Sequence, residues 1–178
     1  MRAGLLTLVI GLLLGVTAVL GFEGVMHATS TDSFCGGACH EMATPLQALQ
    51  QTGHYTNPHG VEVGCADCHI PREFIPKMIR KVEASREVWG HFTGLIDTPE
   101  KYAAHRPAMR ARELARMRAN DSQECRNCHQ EQRMLTAMQS AKAQQYHQNL
   151  ETNGKTCISC HVGIAHPEYA DGLQTAMD

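Results

Sequence analysis

The sequence predicts a mostly α-helical protein in which a single N-terminal transmembrane helix is followed by a compact helical domain. Three observations lead to this prediction. A run of twenty residues without a charge begins at residue 3. Beyond residue 70, apolar residues recur at helical spacing, and no stretch alternates as a strand would. All eight cysteines fall into four short motifs that end in histidine. Such motifs attach haem, so we expect the domain to be organised around four c-type haems.

The uncharged run covers residues 3–22 and is long enough to span a hydrocarbon core of about 30 Å as a helix. Arg2 precedes it and Glu23 follows it, so the positive-inside rule places the N-terminus in the cytoplasm. A cleaved signal peptide is the alternative, but its apolar region would be only about 7–15 residues long. We therefore expect a cytoplasmic segment over residues 1–3, an uncleaved inner-membrane anchor over 4–22 and a periplasmic domain over 23–178.

The four motifs have the spacing that covalent haem attachment requires. Three read C-x-x-C-H, and the first has one more residue between its cysteines, which is expected to bulge that loop. The cysteines are Cys35, Cys39, Cys65, Cys68, Cys125, Cys128, Cys157 and Cys160, and the motif histidines are His40, His69, His129 and His161. Two thiols reach two vinyl groups on one porphyrin edge, and the next imidazole binds the iron. The motifs come in two couples, over residues 35–69 and 125–161, which predicts two di-haem halves.

Other uses of paired cysteines explain the motifs less well. Zinc sites do not require a histidine directly after the second cysteine. Cysteines separated by two residues mark redox or metal chemistry more often than disulfides. Composition supports bound haem, because only 5% of residues are aromatic and the chain offers little bulky material for a core of its own. The net charge of −2 gives no indication of a nucleic-acid partner.

The segment between the second and third motifs is predicted to be helical. An apolar stripe at helical spacing consists of Phe74, Ile75, Met78, Ile79, Val82, Trp89 and Phe92. Such a stripe most often packs into a core, here on a haem face, and the alternative is an amphipathic helix at the membrane interface. Thr98 and Pro99 predict a helix start, with an N-cap hydroxyl and proline at the first helical position. Pro107 is expected to break or kink that helix before a second run over residues 108–120.

Seven histidines remain outside the motifs, and four irons need further ligands. They are His27, His54, His59, His91, His105, His147 and His166. His166 lies too close to His161 to fold back easily onto the same haem, so it is better placed for a neighbouring one. His54 lies midway between the first two motifs and can reach another haem. Met42 follows the first motif closely and offers a sulfur ligand to the first iron.

Several stretches together resemble the NapC/NirT family of membrane-anchored tetrahaem cytochromes, which includes the NrfH proteins. They are FCGGACHEM at 34–42, GCADCHIP at 64–71, EVWG at 87–90, DTPEK at 97–101, ECRNCH at 124–129 and GKTCISCHVGIAH at 154–166. The resemblance covers nearly the whole chain. It implies electron transfer from the membrane quinone/quinol pool to a soluble periplasmic reductase of the nitrate or nitrite type, as in anaerobic respiration.

The resemblance also implies the iron ligands beyond the motif histidines. Met42 rather than His40 would bind haem 1, although the longer spacer in the first motif leaves His40 as the alternative. Lys81 would bind haem 2 opposite His69, since Arg72 replaces a histidine of some NapC-like members; Lys77 and His91 are the alternatives. His166 would bind haem 3 opposite His129, and His54 would bind haem 4 opposite His161. The roles of His147, His59 and His105 stay open.

Quinol oxidation releases protons, so its site requires a base, and the candidates are Asp97, Glu73 and Lys77. The same scaffold permits the opposite direction, in which electrons from a periplasmic multihaem dehydrogenase reduce quinone. A catalytic multihaem reductase and a purely structural anchor are further classes. The short chain argues against the first and four complete motifs against the second. Gly11 and Gly15 have the spacing of helix-packing glycines, which allows a homo-oligomer.

Overall fold

The computed structural model describes residues 2–167, and this part of the chain is helical without any β-strand. Its α-helices are α1 Arg2–Ala28, α2 Ala43–Gln50, α3 Cys65–His69, α4 Phe74–Phe92, α5 Pro99–Ala119, α6 Gln123–Arg126, α7 Ala141–His147, α8 Leu150–Asn153 and α9 Cys157–Cys160. Three short 3-10 helices lie at His40–Met42, Glu131–Arg133 and Thr136–Met138. The predicted mostly α-helical class is confirmed. Met1 of the predicted cytoplasmic segment and residues 168–178 of the predicted periplasmic domain lie outside the described part.

Helix α1 is apolar and long enough to cross a membrane, and none of its described residues is buried in protein. Its 27 residues correspond to a length of about 40 Å at 1.5 Å per residue. The helix therefore continues beyond the predicted anchor at residues 4–22 and carries Glu23 and His27 in its last two turns. The expected single membrane-length helix at the N-terminus is confirmed.

Helices α4 and α5 form the middle of the domain. Thr98 caps α5 as predicted, because its hydroxyl oxygen accepts a hydrogen bond from the Lys101 amide at 3.3 Å. Of the two effects expected of Pro107, a break or a kink, the break does not occur, since α5 continues through this residue to Ala119. An internal proline costs about 3 kcal/mol. Tyr102 and Met117, buried on either side of it, hold the helix in place.

An ionic network joins α5 to its neighbours. The Arg116 guanidinium donates to Glu113 at 2.7 Å and to Glu124 of α6 at 2.6 Å, and it reaches the Cys68 carbonyl oxygen of α3 at 3.3 Å. Arg80 of α4 approaches the other Glu113 oxygen at 3.5 Å. Four helices therefore converge on one pair of carboxylates.

The apolar core is small for a chain of this length. The buried apolar side chains of the described part are Leu49, Ile96, Tyr102, Met117 and Ile158. A domain stabilised by burial alone needs a larger interior than this. The packing therefore agrees with the expectation that the polypeptide wraps prosthetic groups.

Candidate haem-binding site

Short helical turns present the cysteine pairs. The second motif forms α3, the fourth motif fills α9, and the third begins in α6. Residues three apart lie on one face of a helix, so the two thiols of the second motif, and those of the fourth, point in the same general direction. The first motif, with its extra residue, forms a π-helical turn at Phe34–Ala38, which is wider by one residue. Gly36 is required in that turn, because a Cβ there would overlap Leu46.

The first cysteines of neighbouring motifs touch each other. A hydrogen bond between the Cys35 and Cys65 thiols lowers the pKa of Cys35 to about 7 and raises that of Cys65. A bond between Cys125 and Cys157 lowers the pKa of Cys157 to about 6 and raises that of Cys125. The first motif thus adjoins the second, and the third adjoins the fourth.

Polar contacts fix these motifs relative to one another. The Cys65 amide donates to the Asp32 carboxylate at 2.8 Å, and this bond ties the second motif to the segment before the first. Ser122 is fully buried, and its hydroxyl accepts from the Ile158 amide at 3.1 Å, which joins the third motif to the fourth. Arg72 donates to the Cys128 sulfur at 3.5 Å and so connects the second motif with the third.

Four pairs of histidine rings face each other within the described residues. The ring centroids are 5.8 Å apart for His40–His91, 6.3 Å for His69–His166, 6.1 Å for His54–His129 and 5.9 Å for His147–His161. Each pair combines one motif histidine with one histidine from elsewhere. Two imidazoles that share a metal ion each bind at about 2 Å, which separates their centroids by roughly 6 Å.

The residues present therefore fit covalently bound haem. Every pair of thiols is followed by an imidazole, and every such imidazole has a second imidazole at a distance suited to one iron between them. Burial, and then the neighbouring His147 and His129, lower the pKa of His161, which favours the neutral ring that binds metal.

The geometry differs from the ligand pairs that the resemblance implied. His54 lies beside His129 rather than His161, and His166 lies beside His69 rather than His129. His147, whose role stayed open, lies beside His161. The reason lies in the packing of the motifs, because α3 and α6 contact each other and α9 packs on α5. Sequence separation contains no information about these contacts.

Met42 and Lys81 lie near the first two motifs. Met42 lines an apolar cavity of about 140 Å³ together with Cys35, Cys65, the motif histidine His69 and His166. The Lys81 amine donates to the Thr29 carbonyl oxygen at 2.6 Å and to its hydroxyl at 2.8 Å, at the end of α1. Burial lowers the pKa of Lys81.

Side-chain acceptors orient three of the paired rings, and no pattern in the sequence indicates them. The buried Glu41 carboxylate accepts from His91 Nδ1 at 2.5 Å, and Glu113 accepts from His69 Nδ1 at 2.9 Å. The Gln139 amide oxygen contacts His147 Nδ1 at 2.6 Å. Burial alone would raise the pKa of both glutamates, but the bonds from their histidines, and from Arg116 in the case of Glu113, hold it below the ordinary value.

The three candidate proton acceptors lie in two places. Glu73 and Lys77 belong to the start of α4, whose Phe74 ring packs on Phe22 of α1 at 6.3 Å. Asp97 lies before α5 and accepts from Lys101 at 2.7 Å. That bond holds the pKa of Asp97 below its ordinary value.

A membrane-length helix followed by a helical domain of cysteine motifs and paired imidazoles defines a membrane-anchored c-type cytochrome, a protein of electron transport. The profile of the NapC/NirT cytochrome c family, N-terminal region, matches residues 1–171. The chain belongs to the NapC/NirT cytochrome c family. Haem c is therefore its cofactor.

Several relatives support this assignment. The chain is 46% identical over 160 residues to the denitrification system component NirT of Stutzerimonas stutzeri, covering 89% of this chain and 79% of that protein. It is 47% identical to the cytochrome c-type protein NapC of Escherichia coli K12, with coverages of 89% and 80%. The cytochrome c-type protein TorY of Haemophilus influenzae is 43% identical over 85% of this chain and 41% of its own length. No solved structure matches the chain.

Proposed function

We propose that the protein is a quinol dehydrogenase that takes electrons from the membrane quinol pool and delivers them to a periplasmic reductase of the nitrate or nitrite type. The observation that carries this proposal is the short connection between α1 and the first motif. Helix α1 ends at Ala28, and the π-helical turn with Cys35 begins at Phe34. The first iron site therefore lies near the membrane surface, where a lipid-soluble reductant arrives. The denitrification component among the relatives supports a nitrogen-oxide reductase as the partner.

The proposal includes the arrangement of the chain across the membrane. Residues 1–3 lie in the cytoplasm, residues 4–22 span the bilayer, and residues 23–178 form a periplasmic domain. Arg2 on one side of the apolar run and Glu23 on the other support this orientation.

Four haems would be held by the four motifs, each through its two cysteines and a pair of histidines. The proposed histidine pairs are His40–His91, His69–His166, His129–His54 and His161–His147, as their ring separations suggest. His91 and His166 then take the positions expected for Met42 and Lys81. The haems, when bound, supply one-electron carriers at low potential, as expected for iron with two nitrogen ligands.

Polar residues in two places handle the two protons of quinol. Asp97 stays ionised beside Lys101, so it can accept a hydrogen bond from a quinol hydroxyl. Glu73 and Lys77 lie near Phe22, at the end of the apolar run, where a proton can leave for the aqueous phase. Together these groups orient the substrate and conduct its protons away from the bilayer.

Reduction by a quinol analogue tests the proposal. The purified full-length protein in detergent should show rapid reduction of its haem absorption bands, and a quinone-site inhibitor should block it. If the haems stay oxidised with quinol but pass electrons to quinone once chemically reduced, electrons flow the other way. The partner would then be a periplasmic multihaem dehydrogenase. Turnover of nitrite by the protein alone would indicate a catalytic reductase.

A further inference from the structure

Helix α4 exposes an apolar stripe to its surroundings. Ile75, Ile79 and Val82 are 63%, 55% and 73% exposed. At 100° per residue these three side chains lie within an arc of about 60° around the helix axis. Exposed apolar residues that form one stripe mark a surface for a partner or a membrane.

The opposite face of α4 contacts the haem-binding domain. Arg80 approaches Glu113 at 3.5 Å, and His91 donates to Glu41 at 2.5 Å. These two residues lie about 140–160° around the helix from Ile75. The stripe therefore points away from the paired histidines, and a haem face does not explain it.

The start of α4 lies beside the end of the membrane helix. The Phe74 ring packs on Phe22, and Lys81 bonds to Thr29 at 2.6 Å. These two contacts are seven residues apart on both helices, so the first two turns of α4 run alongside residues 22–29. The uncharged run already spans the hydrocarbon core, so residues 22–29 occupy the headgroup layer. With both headgroup layers the bilayer is about 40–45 Å thick.

We propose that Ile75, Ile79 and Val82 insert into the lipid interface of the leaflet where α1 ends, as a second membrane contact of the domain. The occupant of the stripe is lipid, because α4 begins where α1 leaves the hydrocarbon.

Photolabelling from the lipid phase tests this contact. The full-length protein is placed in nanodiscs that contain a phospholipid with a diazirine at the headgroup end of its acyl chain, and labelled peptides are identified by mass spectrometry. We expect label on residues 74–82 as well as on α1. Leu135 and Met138 are equally exposed but belong to a different segment, and they should stay unlabelled.

Matched variants test whether the apolar stripe itself makes the lipid contact. The double variant Ile75→Glu, Ile79→Glu should lose the label on residues 74–82, whereas Met138→Glu should retain it. Unchanged haem absorption spectra report that both variants fold. Label on α1 without label on residues 74–82 would overturn the proposal. A cross-link from this segment to a second copy in place of lipid would overturn it as well.

A second inference concerns the acceptors behind the histidine rings. Glu41 and Glu113 place carboxylates on His91 and His69, whereas Gln139 places a neutral amide on His147. A carboxylate on the outer ring nitrogen makes an imidazole a stronger donor to its metal, which stabilises the more positive oxidation state. The iron sites of the first two motifs therefore adjoin a negatively charged carboxylate, whereas the site at His147 and His161 adjoins a neutral amide.

We infer that Glu41 and Glu113 are positioning residues that lower the reduction potentials of the first two iron sites relative to the site at His147 and His161. This inference rests on the proposed axial pairs. Glu113→Gln should raise the potential of one haem, and Gln139→Glu should lower the potential of another. Glu124→Gln is the matched control, because Glu124 shares Arg116 with Glu113 but contacts no histidine in the described part.

Optical redox titration and electron paramagnetic resonance measure these effects. Each active variant should shift one haem potential and the g values of one ferric signal, and the control should shift neither. Equal shifts in the control, or no shift in the active variants, would overturn the inference. The titration uses chemical mediators and no quinol, so its outcome is separate from that of the quinol experiment.

Discussion

Replacing His54 with alanine should convert one haem of the protein from low-spin to high-spin iron and leave the others unchanged. The His54 and His129 ring centroids are 6.1 Å apart, so under the proposed pairing removal of His54 deprives one iron of one of two nitrogen ligands. Electron paramagnetic resonance spectra of the ferric protein should gain a high-spin signal that corresponds to one iron. His59→Ala is the control, because His59 is an exposed histidine of the same loop and should give no such signal.

A double variant distinguishes the geometric pairs from the pairs implied by the resemblance. His147→Ala alone should also produce one high-spin iron, because His147 faces His161 at 5.9 Å. His54→Ala combined with His147→Ala should therefore produce two. If His54 instead serves the iron of His161, the combination should produce only one, and the proposed pairs would be wrong.

Replacing Arg116 with methionine should reduce the free energy of unfolding by about 3–5 kcal/mol, the range found when one partner of a buried ion pair is removed. The Arg116 side chain is 18% exposed and its partner Glu124 only 2%. Methionine preserves much of the volume but removes the cation that Glu124 bonds, while Glu113 keeps Arg80 at 3.5 Å. Burial then raises the pKa of Glu124, which the Arg116 bond now holds below its ordinary value.

Guanidinium unfolding, followed by haem absorption in detergent, measures this loss. Arg112→Met is the matched control on the same helix, because Arg112 is 45% exposed and meets Glu87 at 3.5 Å. An exposed pair of this kind contributes about 0–1 kcal/mol. Equal losses in the two variants would show that the buried network has no special role in stability.

Local signals in the sequence were sufficient for the helices and the cysteine motifs. Hydropathy identified α1, and the Thr98 cap with Pro99 identified the start of α5. The helix break that Pro107 predicts does not occur, because the burial of Tyr102 and Met117 outweighs the cost of an internal proline. Features that depend on a few neighbouring residues were thus predictable, except where tertiary packing opposes them.

The partners of the motif histidines could not be predicted in the same way. Glu113 lies 44 residues from His69, and no spacing rule connects them. His91 and His147 were visible as spare histidines, but only the approach of one motif to another decides which ring each one faces. Long-range geometry of this kind arises from packing around the haems, which no single segment encodes.

The join between membrane helix and domain has a further consequence. Lys81 holds Thr29 with two hydrogen bonds, and Asp32 holds the Cys65 amide, so the segment after α1 is fastened on both sides. A domain fixed in this way cannot swing on a tether in search of its acceptor. Its outermost iron site stays at a constant height above the lipid, and the soluble partner must diffuse to it. Encounter frequency, rather than the motion of a linker, should then limit electron delivery when the partner is scarce.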